Sequence, residues 1–137
     1  MLIAALVFGC YTNHAGFAAS GAAIALDRRE VVISNAAETV TLPLSAFPEV
    51  ERRRIAADYV LGHPEAGVDA LLVPSDVKKA FAANEKAMRR AALRAEKGLC
   101  SKEESEAFRT KSAAAFNAWL DDKVKKGELL PSERLAL

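Results

Sequence analysis

The chain has few residues of the kinds that build disulfide frameworks and metal sites. Its 137 residues include only two cysteines and two histidines. One pair of cysteines cannot form the multi-bridge framework of a small disulfide-rich domain. Cys10, His14, His63 and Cys100 also lack the paired spacing that zinc ligands usually show. The sequence therefore predicts no metal ion and no cofactor.

Large apolar side chains are scarcer than the overall composition suggests. Hydrophobic residues make up 51% of the chain, but 28 of them are alanines, which bury little area. The larger ones are grouped in residues 24–44, 47–61, 71–81 and 108–120. A length of 137 residues suits one ordinary domain or two very small ones. We therefore expect a stable core only if these groups pack together or against a partner.

The sequence also lacks the residue sets that mark common enzymes. Neither cysteine has an evident histidine partner, and no Gly-x-Ser-x-Gly, phosphate loop or dinucleotide-binding glycine pattern is present. The carboxylates within residues 103–106 and 121–122 fall on predicted helix surfaces, where solvated charge is the ordinary role. The sequence therefore predicts that the protein is not an enzyme.

Net charge is close to zero, so no overall field attracts polyanions. The formal charge is +1, from −3 in residues 1–75 (five basic and eight acidic) and +4 in residues 76–137 (fourteen and ten). In the second half, basic residues recur at helical spacing and form a basic stripe of Lys79, Lys86, Arg90, Arg94 and Lys97. The stripe is interpreted either as a solvated helix face or as a surface that binds nucleic-acid phosphates.

No apolar run is long enough to cross a membrane as a helix, which takes about 20 residues. Residues 1–10 are apolar but lack the basic residue that begins a secretory signal. Residues 2–8 are interpreted either as a buried strand or docking segment, or as the end of an export signal. The Val7–Cys10 stretch resembles a lipoprotein cleavage box, which would make Cys10 a lipid anchor and the protein's link to a membrane. Cytoplasm and bacterial cell envelope are therefore alternative locations.

The first part of the chain predicts a small antiparallel β-module. Stretches with strand patterns occupy residues 23–26, 31–33 and 39–44, with polar turns at 27–30 and 35–38. Pro48 suits the first turn of a helix, and Ile55, Tyr59 and Val60 follow at helical spacing. We therefore expect the β-module to end in a short helix.

The second part predicts a long αα-hairpin. Ser75 is a suitable N-cap for the first helix, and Gly98 follows a typical helix end. Ser101 and Glu104 form a capping-box pattern for the second helix, which ends before Gly127. The predicted fold class is thus α+β: a small β-barrel-like module followed by a long helical hairpin. Its expected parts are residues 1–61 (β-module with short helix), 62–75 (linker) and 76–137 (hairpin with a short C-terminal turn).

Both predicted hairpin helices carry a heptad-like seam. On the first helix the seam is Val77, Phe81, Asn84, Met88, Ala91 and Ala95; on the second it is Phe108, Ser112, Ala115, Trp119 and Asp122. One interpretation is that the two helices pack on each other, since short loops usually join antiparallel neighbours. The other is that the surplus apolar side binds a protein partner or a second copy. The candidate partner-binding residues are Phe81, Met88, Phe108, Phe116 and Trp119.

A resemblance to a known family rests on the segment Val40-Thr41-Leu42-Pro43-Leu44-Ser45-Ala46-Phe47-Pro48-Glu49-Val50-Glu51. It resembles the end of the Sla-homology-domain-one family, and Tyr11-Thr12-Asn13 is similar to its threonine-flanked aromatic beginning. The resemblance covers about residues 10–60 and implies a small Src-homology-3-like barrel. Eukaryotic members bind short Asn-Pro-Phe-type peptides, whereas bacterial versions occur in proteins of unknown, often envelope-associated, role. Neither hairpin turn has the glycine usual in the family, which predicts longer turns or a degenerate barrel.

The function predicted from these features is a non-catalytic protein–protein interaction or scaffold role. The partner would be another protein or a second copy of the chain, bound by burial of apolar side chains with charge setting the register. Two alternatives remain: a nucleic-acid-associated protein that uses the basic stripe, and a small envelope lipoprotein anchored through Cys10.

Overall fold

The structure, a computed structural model that describes residues 5–137, contains one antiparallel sheet and four α-helices. The strands are β1 (Phe8–Thr12), β2 (Ala18–Leu26), β3 (Glu30–Ser34) and β4 (Thr39–Pro43), and the helices are α1 (Glu49–Gly62), α2 (Ser75–Glu96), α3 (Lys102–Lys125) and α4 (Pro131–Ala136). Short 3₁₀ turns occupy Leu44–Ala46, Pro64–Ala66 and Val68–Ala70. The α+β fold class is therefore confirmed.

The chain divides into two compact units. The sheet unit contains the residues up to Val73 together with Leu130–Leu137, and the hairpin unit is Pro74–Leu129. The sequence grouped the C-terminal turn with the hairpin, but in the structure α4 packs against α1 inside the sheet unit. The chain thus leaves the sheet unit after Val73 and re-enters it at Leu130.

The sheet is a meander in the order β1-β2-β3-β4, with antiparallel pairing throughout. Within the described residues β1 and β4 are its two edges and form no ladder with each other, so the expected barrel closure is not seen. A backbone hydrogen bond from His14 N to Ala46 O (2.8 Å) links the β1–β2 turn to the turn after β4. The strand expected over residues 2–8 contributes Phe8 to β1 but has no regular structure at 5–7, and residues 1–4 lie outside the described range.

One face of the sheet forms the core. Because cross-strand partners point to the same face, the pairs Val31–Leu42 and Ile33–Val40 place the alternating residues of β4 beside those of β3. This face is packed with residues from the sheet, the 3₁₀ turn and α1: Tyr11, Ala23, Val31, Ile33, Leu44, Phe47 and Ile55. The alternation read from residues 39–44 is therefore confirmed as a half-buried strand.

Each of the three hairpin turns begins with an Asn or Asp whose side-chain oxygen accepts two backbone N–H groups. Asn13 Oδ1 accepts from Ala15 and Phe17, Asp27 Oδ1 from Arg29 and Glu30, and Asn35 Oδ1 from Ala37 and Glu38, at 2.7–3.0 Å. The turns after Asp27 and Asn35 contain no residue with positive φ. These side chains stabilise turns longer than two residues, which need no glycine. The N–H groups of Arg29 and then Glu30 also hold the pKa of Asp27 below its ordinary value.

Helix α1 contacts the edge of β1. Glu51 accepts the backbone N–H of Thr12 (3.0 Å), and Arg54 reaches the carbonyl of Cys10 (3.5 Å) while pairing with Glu51 (2.7 Å). The fully buried Tyr11 donates its hydroxyl proton to Asp58. Burial, followed by this hydrogen bond, raises the pKa of Tyr11 well above its ordinary range. Two outward-facing backbone groups of this edge strand, at Cys10 and Thr12, thus bind polar side chains of α1.

A buried ion pair attaches α4 to α1. Arg53 donates Nη2 to Glu133 Oε1 (2.6 Å) and Nε to Oε2 (3.0 Å), in the two-bond geometry that favours arginine over lysine. The side chain of Glu133 is fully buried and that of Arg53 is 15% exposed. Glu133 Oε1 also accepts the backbone N–H of Leu130 (2.9 Å), where the chain re-enters the sheet unit.

Gly21 lies where β2 passes close to β3. Its φ is +147°, and a Cβ there would overlap the carbonyl oxygen of Ser34. Gly16 in the β1–β2 turn also has positive φ (+86°), but nothing lies within 4 Å of a Cβ at that position. Gly21 is therefore required by both conformation and space, and Gly16 by conformation alone.

We expect Gly21→Ala to lower the free energy of unfolding by about 3 kcal/mol or more, because it adds overlap to backbone strain. The matched variant Gly16→Ala should lower it by about 1 kcal/mol, from strain alone. Urea unfolding followed by circular dichroism measures both values. Equal losses for the two variants would contradict the close approach of β2 to β3.

Breaking the ion pair should loosen α4. We expect Arg53→Met to destabilise the docking of α4 by about 3–5 kcal/mol, because it leaves the buried Glu133 carboxylate without its partner. The double variant Arg53→Met/Glu133→Leu should lose less than the single variant, since no buried charge remains. Hydrogen exchange of the α4 amides measures the docking free energy. A double variant that is no better than Arg53→Met would show that the ion pair does not hold α4.

Candidate functional site

The hairpin unit owes its two helices to local signals at their ends. Helix α3 begins as predicted, with Ser101 Oγ accepting the N–H of Glu104 (3.0 Å). Helix α2 begins one residue earlier than predicted, since Ser75 is its first helical residue and Pro74 takes the cap position without a side-chain bond. Both helices end before a glycine, Gly98 (φ +72°) and Gly127 (φ +74°). Paired backbone hydrogen bonds close each end, as in a Schellman motif.

The predicted seam is correct on α2 and displaced on α3. The α2 seam residues are all buried or half-buried. On α3, the predicted Phe108, Ala115 and Asp122 are exposed. The α3 residues at seam spacing that are buried or half-buried are instead Ser105, Arg109, Ser112, Phe116, Trp119 and Lys123, with the buried Leu120 beside them. The predicted α3 seam began at Phe108, the first aromatic residue of the helix. The observed seam begins at Ser105, and many of its side chains are polar or small.

Ser105 explains why a polar residue begins the α3 seam. It is 2% exposed, and its hydroxyl donates to the backbone carbonyl of Ala91 on α2 (2.9 Å). Ala91 is 8% exposed. A side chain larger than serine or alanine at either position would push the helices apart, so α2 and α3 approach closely near their connecting loop.

Aromatic side chains fill the other end of the hairpin. The ring of Phe116 lies 6.1 Å from that of Phe81 and 6.0 Å from that of Trp119, centroid to centroid. Lys123 Nζ lies 5.1 Å from the Trp119 ring centroid, in cation–π range. Among the candidate partner-binding residues, Phe116 therefore packs against both Phe81 and Trp119 within the hairpin. Met88, a member of the α2 seam, is half-buried.

Lys123 also joins the two termini of the hairpin by ion pairs. Its Nζ lies 3.0 Å from Asp76 Oδ2 and 2.8 Å from Glu128 Oε2. The hydrogen bonds to Glu128 and then Asp76 raise the pKa of Lys123 above its ordinary value. The hydrogen bond from Lys123 lowers the pKa of Asp76.

A groove of about 340 Å³ opens between α2 and α3 at the loop end of the hairpin. Its lining residues are Ala87, Arg90, Ala91, Arg94, Cys100, Glu104, Ser105 and Phe108. Phe108 is 49% exposed, which makes it the most exposed of the five candidate partner-binding residues. We call this the hairpin groove. It combines apolar alanine and phenylalanine surface with two guanidinium groups, one carboxylate and a free thiol.

The basic stripe lies on the exposed side of α2. All five of its members are exposed, and across residues 5–137 none of their side chains forms a hydrogen bond or ion pair. Arg90 and Arg94 line the hairpin groove, whereas Lys79, Lys86 and Lys97 do not. The stripe therefore has free cationic groups both at the groove and away from it.

The structure thus brings together in the hairpin groove one candidate partner-binding residue, Phe108, and two candidate anion-binding residues, Arg90 and Arg94. Sequence reasoning missed the polar groove residues Cys100, Glu104 and Ser105. Glu104 and Phe108 are four residues apart, which places these two side chains on one face of α3. This spacing could have indicated that Glu104 lies beside Phe108. Contact with Arg90 and Arg94 depends on how α3 packs on α2, which no local pattern gives.

Other candidate features lie outside the hairpin groove. Cys10 is an exposed free thiol on β1, and its role as a lipid anchor stays a prediction. Over residues 5–137, no helix combines the length and the apolar character needed to cross a membrane. Within the same range, no three His, Cys, Asp or Glu side chains are grouped so that they could hold a metal ion.

Asp76 should make the hairpin pH-dependent. Because its pKa is lowered in the folded protein, it stabilises the fold above its unfolded-state pKa of about 4 and loses this contribution as pH falls through the folded pKa. We expect Asp76→Asn to lower Tm at about pH 7 and to have no effect at about pH 2. The exposed Glu85→Gln is the matched control. An equal decrease in Tm at both pH values would contradict the ion pair.

Comparison with known proteins identifies no relative of this chain. No protein-family model, no curated protein and no solved structure matches it. The resemblance of residues 10–60 to the Sla-homology-domain-one family therefore stays a prediction.

Proposed function

We propose that the protein is a non-catalytic interaction module whose hairpin groove binds a helical segment of another protein. The observation that carries this proposal is the combination of exposed Phe108 with the unpaired guanidinium groups of Arg90 and Arg94 around one groove. An exposed aromatic beside unpaired arginines is typical of a protein-binding hot spot. The non-catalytic part of the proposal rests on the sequence, in which no acid, base and nucleophile pattern was recognised.

The groove suits a third helix. Two antiparallel helices leave a furrow along their line of contact, and a third helix can lay its apolar side into that furrow. The alanine floor of Ala87 and Ala91 permits close approach of such a helix. Arg90 and Arg94 would pair with acidic side chains on the partner, so the expected partner is an amphipathic helix with acidic residues flanking its apolar stripe.

Nucleic-acid binding is the second candidate function. Five unpaired cations along Lys79–Lys97 support it, because such a row follows about 27 Å of helix and can contact several phosphates. Nucleic-acid binding and helix binding should depend on different residues. Phosphate contacts would use the whole basic stripe, whereas a groove-bound helix would use Arg90, Arg94 and Phe108 only.

A matched pair of charge variants separates the two functions. A photo-crosslinking phenylalanine analogue at position 108 of the full chain should capture a protein from nuclease-treated source lysate, and the same analogue at exposed Thr110 should not. We expect Arg90→Glu/Arg94→Glu to weaken binding of the captured protein by about tenfold or more. The control Lys79→Glu/Lys86→Glu makes the same charge change away from the groove and should have little effect.

Two results would contradict groove binding. One is equal loss of the captured protein in both charge variants. The other is loss of all captured material after nuclease treatment, together with a steep decrease in binding as salt rises. That second result would favour the nucleic-acid function.

A further inference from the structure

The two edge strands of the sheet, β1 and β4, differ in whether their outward-facing backbone groups have partners. Residues of β1 with outward-facing backbone include Cys10 and Thr12, and α1 supplies a partner for each: Arg54 for the Cys10 carbonyl and Glu51 for the Thr12 N–H. Backbone groups that already have a partner are not available to another strand. Helix α1 therefore occupies part of the β1 edge.

The β4 edge is open. Asn35 N donates to Glu38 O, and Leu44 N donates to Arg29 O, so even-numbered residues of β4 direct their backbone groups toward β3. Thr39 and Thr41 then direct their N–H and C=O groups away from the sheet. Both residues are exposed, and no partner for either N–H exists in the described part of the chain. Four strong backbone hydrogen-bonding groups thus face solvent along one short edge.

The usual protection against edge pairing is weak here. Exposed edges are commonly blocked by lysine, by other charges or by proline. β4 reads Thr-Val-Thr-Leu-Pro, which contains no charged residue and places its proline at the last position. Pro43 removes a donor only at that end, so the Thr39–Thr41 segment keeps all its pairing groups.

An uncovered part of the core face lies beside this edge. A groove of about 220 Å³ lies there, and its apolar lining comes from β2, β4 and the segment before α1, including Ala19, Val40, Leu42 and Phe47. Its polar lining is Asn13, Ser20, Asn35 and Glu38. Val40 and Leu42 are half-buried. A strand added to β4 would place alternate side chains next to Val40 and Leu42 and cover them.

From these observations we infer that β4 pairs with β4 of a second copy of this chain, antiparallel about a two-fold axis at Val40. This register opposes Thr39 to Thr41 in both directions, so their N–H and C=O groups form four backbone hydrogen bonds and Pro43 is left outside. The two Val40 residues face each other as a non-hydrogen-bonded pair. The nearest charge, Glu38, lies opposite Leu42, so no like charges meet.

The second copy is the occupant that this edge fits by symmetry. A two-fold axis requires a surface that is complementary to itself. The Thr39–Thr41 segment meets that requirement because each donor finds an acceptor on the identical strand. Threonine pairs on one face and a valine pair on the other also suit cross-strand contact. The dimer would use the sheet unit, whereas the hairpin groove belongs to the hairpin unit.

Charge-swap variants test the pairing. Full-length Thr39→Lys/Thr41→Lys should raise the dimer dissociation constant in analytical ultracentrifugation by about tenfold or more, because like charges oppose each other across the axis. Thr39→Glu/Thr41→Glu should do the same, and an equimolar mixture of the two variants should form a heterodimer. The control Thr110→Lys/Ala114→Lys adds the same charge at exposed α3 positions and should leave dimerisation unchanged.

A cysteine variant tests the register. In a Cys10→Ser/Cys100→Ser background, Val40→Cys should form an intermolecular disulfide under mild oxidation, since opposed residues of a non-hydrogen-bonded pair have Cα atoms about 4.5 Å apart. Thr41→Cys should cross-link much less. A wild-type protein that stays monomeric, with no Val40→Cys cross-link, would overturn the inference. So would a dimer that survives both charge-swap variants but is lost in Arg90→Glu/Arg94→Glu.

Discussion

The ion pair between Arg53 and Glu133 attaches the C-terminal helix of this protein to the sheet unit. It holds α4 on α1, so the chain that leaves the sheet unit after Val73 is brought back to it at Leu130. Both ends of the hairpin unit are therefore attached to the same folded body.

The sheet unit and the hairpin unit contribute surfaces of different kinds. The hairpin groove offers side chains to a partner: Phe108 and two unpaired arginines surround a floor of alanines. The β4 edge has backbone chemistry, with the N–H and C=O groups of Thr39 and Thr41 facing solvent. Side-chain surfaces select a partner by charge and shape, whereas backbone edges accept any strand of compatible register. The two proposed interactions thus use different units of the chain and different kinds of chemistry.

Several features that depend on residues close together in the sequence were predicted correctly, whereas several that depend on contacts between helices were not. The α3 start was predicted from Ser101 and Glu104, which contact each other three residues apart. The α3 seam was misplaced because its first member is Ser105, a polar residue that is buried only because the Ala91 carbonyl accepts its hydroxyl proton from another helix. For the candidate site, Phe108, Arg90 and Arg94 were each identified as binding residues, but for separate surfaces. Their common groove follows from the packing of α2 on α3.

The sequence by itself determined the α+β class, strands β3 and β4 and the ends of the two hairpin helices, because caps, glycine stops and strand alternation act over a few residues. It did not indicate β1 beyond Phe8 or the first half of β2, where small residues give no alternation. Only the tertiary structure decided that α4 joins the sheet unit and that the hairpin groove unites Phe108 with two arginines. It also decided that α1 binds backbone groups of β1, while within residues 5–137 no strand pairs with the outer side of β4. These features depend on pairs such as Arg53 and Glu133, which lie 80 residues apart. No local pattern records such pairs, since they form only when distant segments pack together.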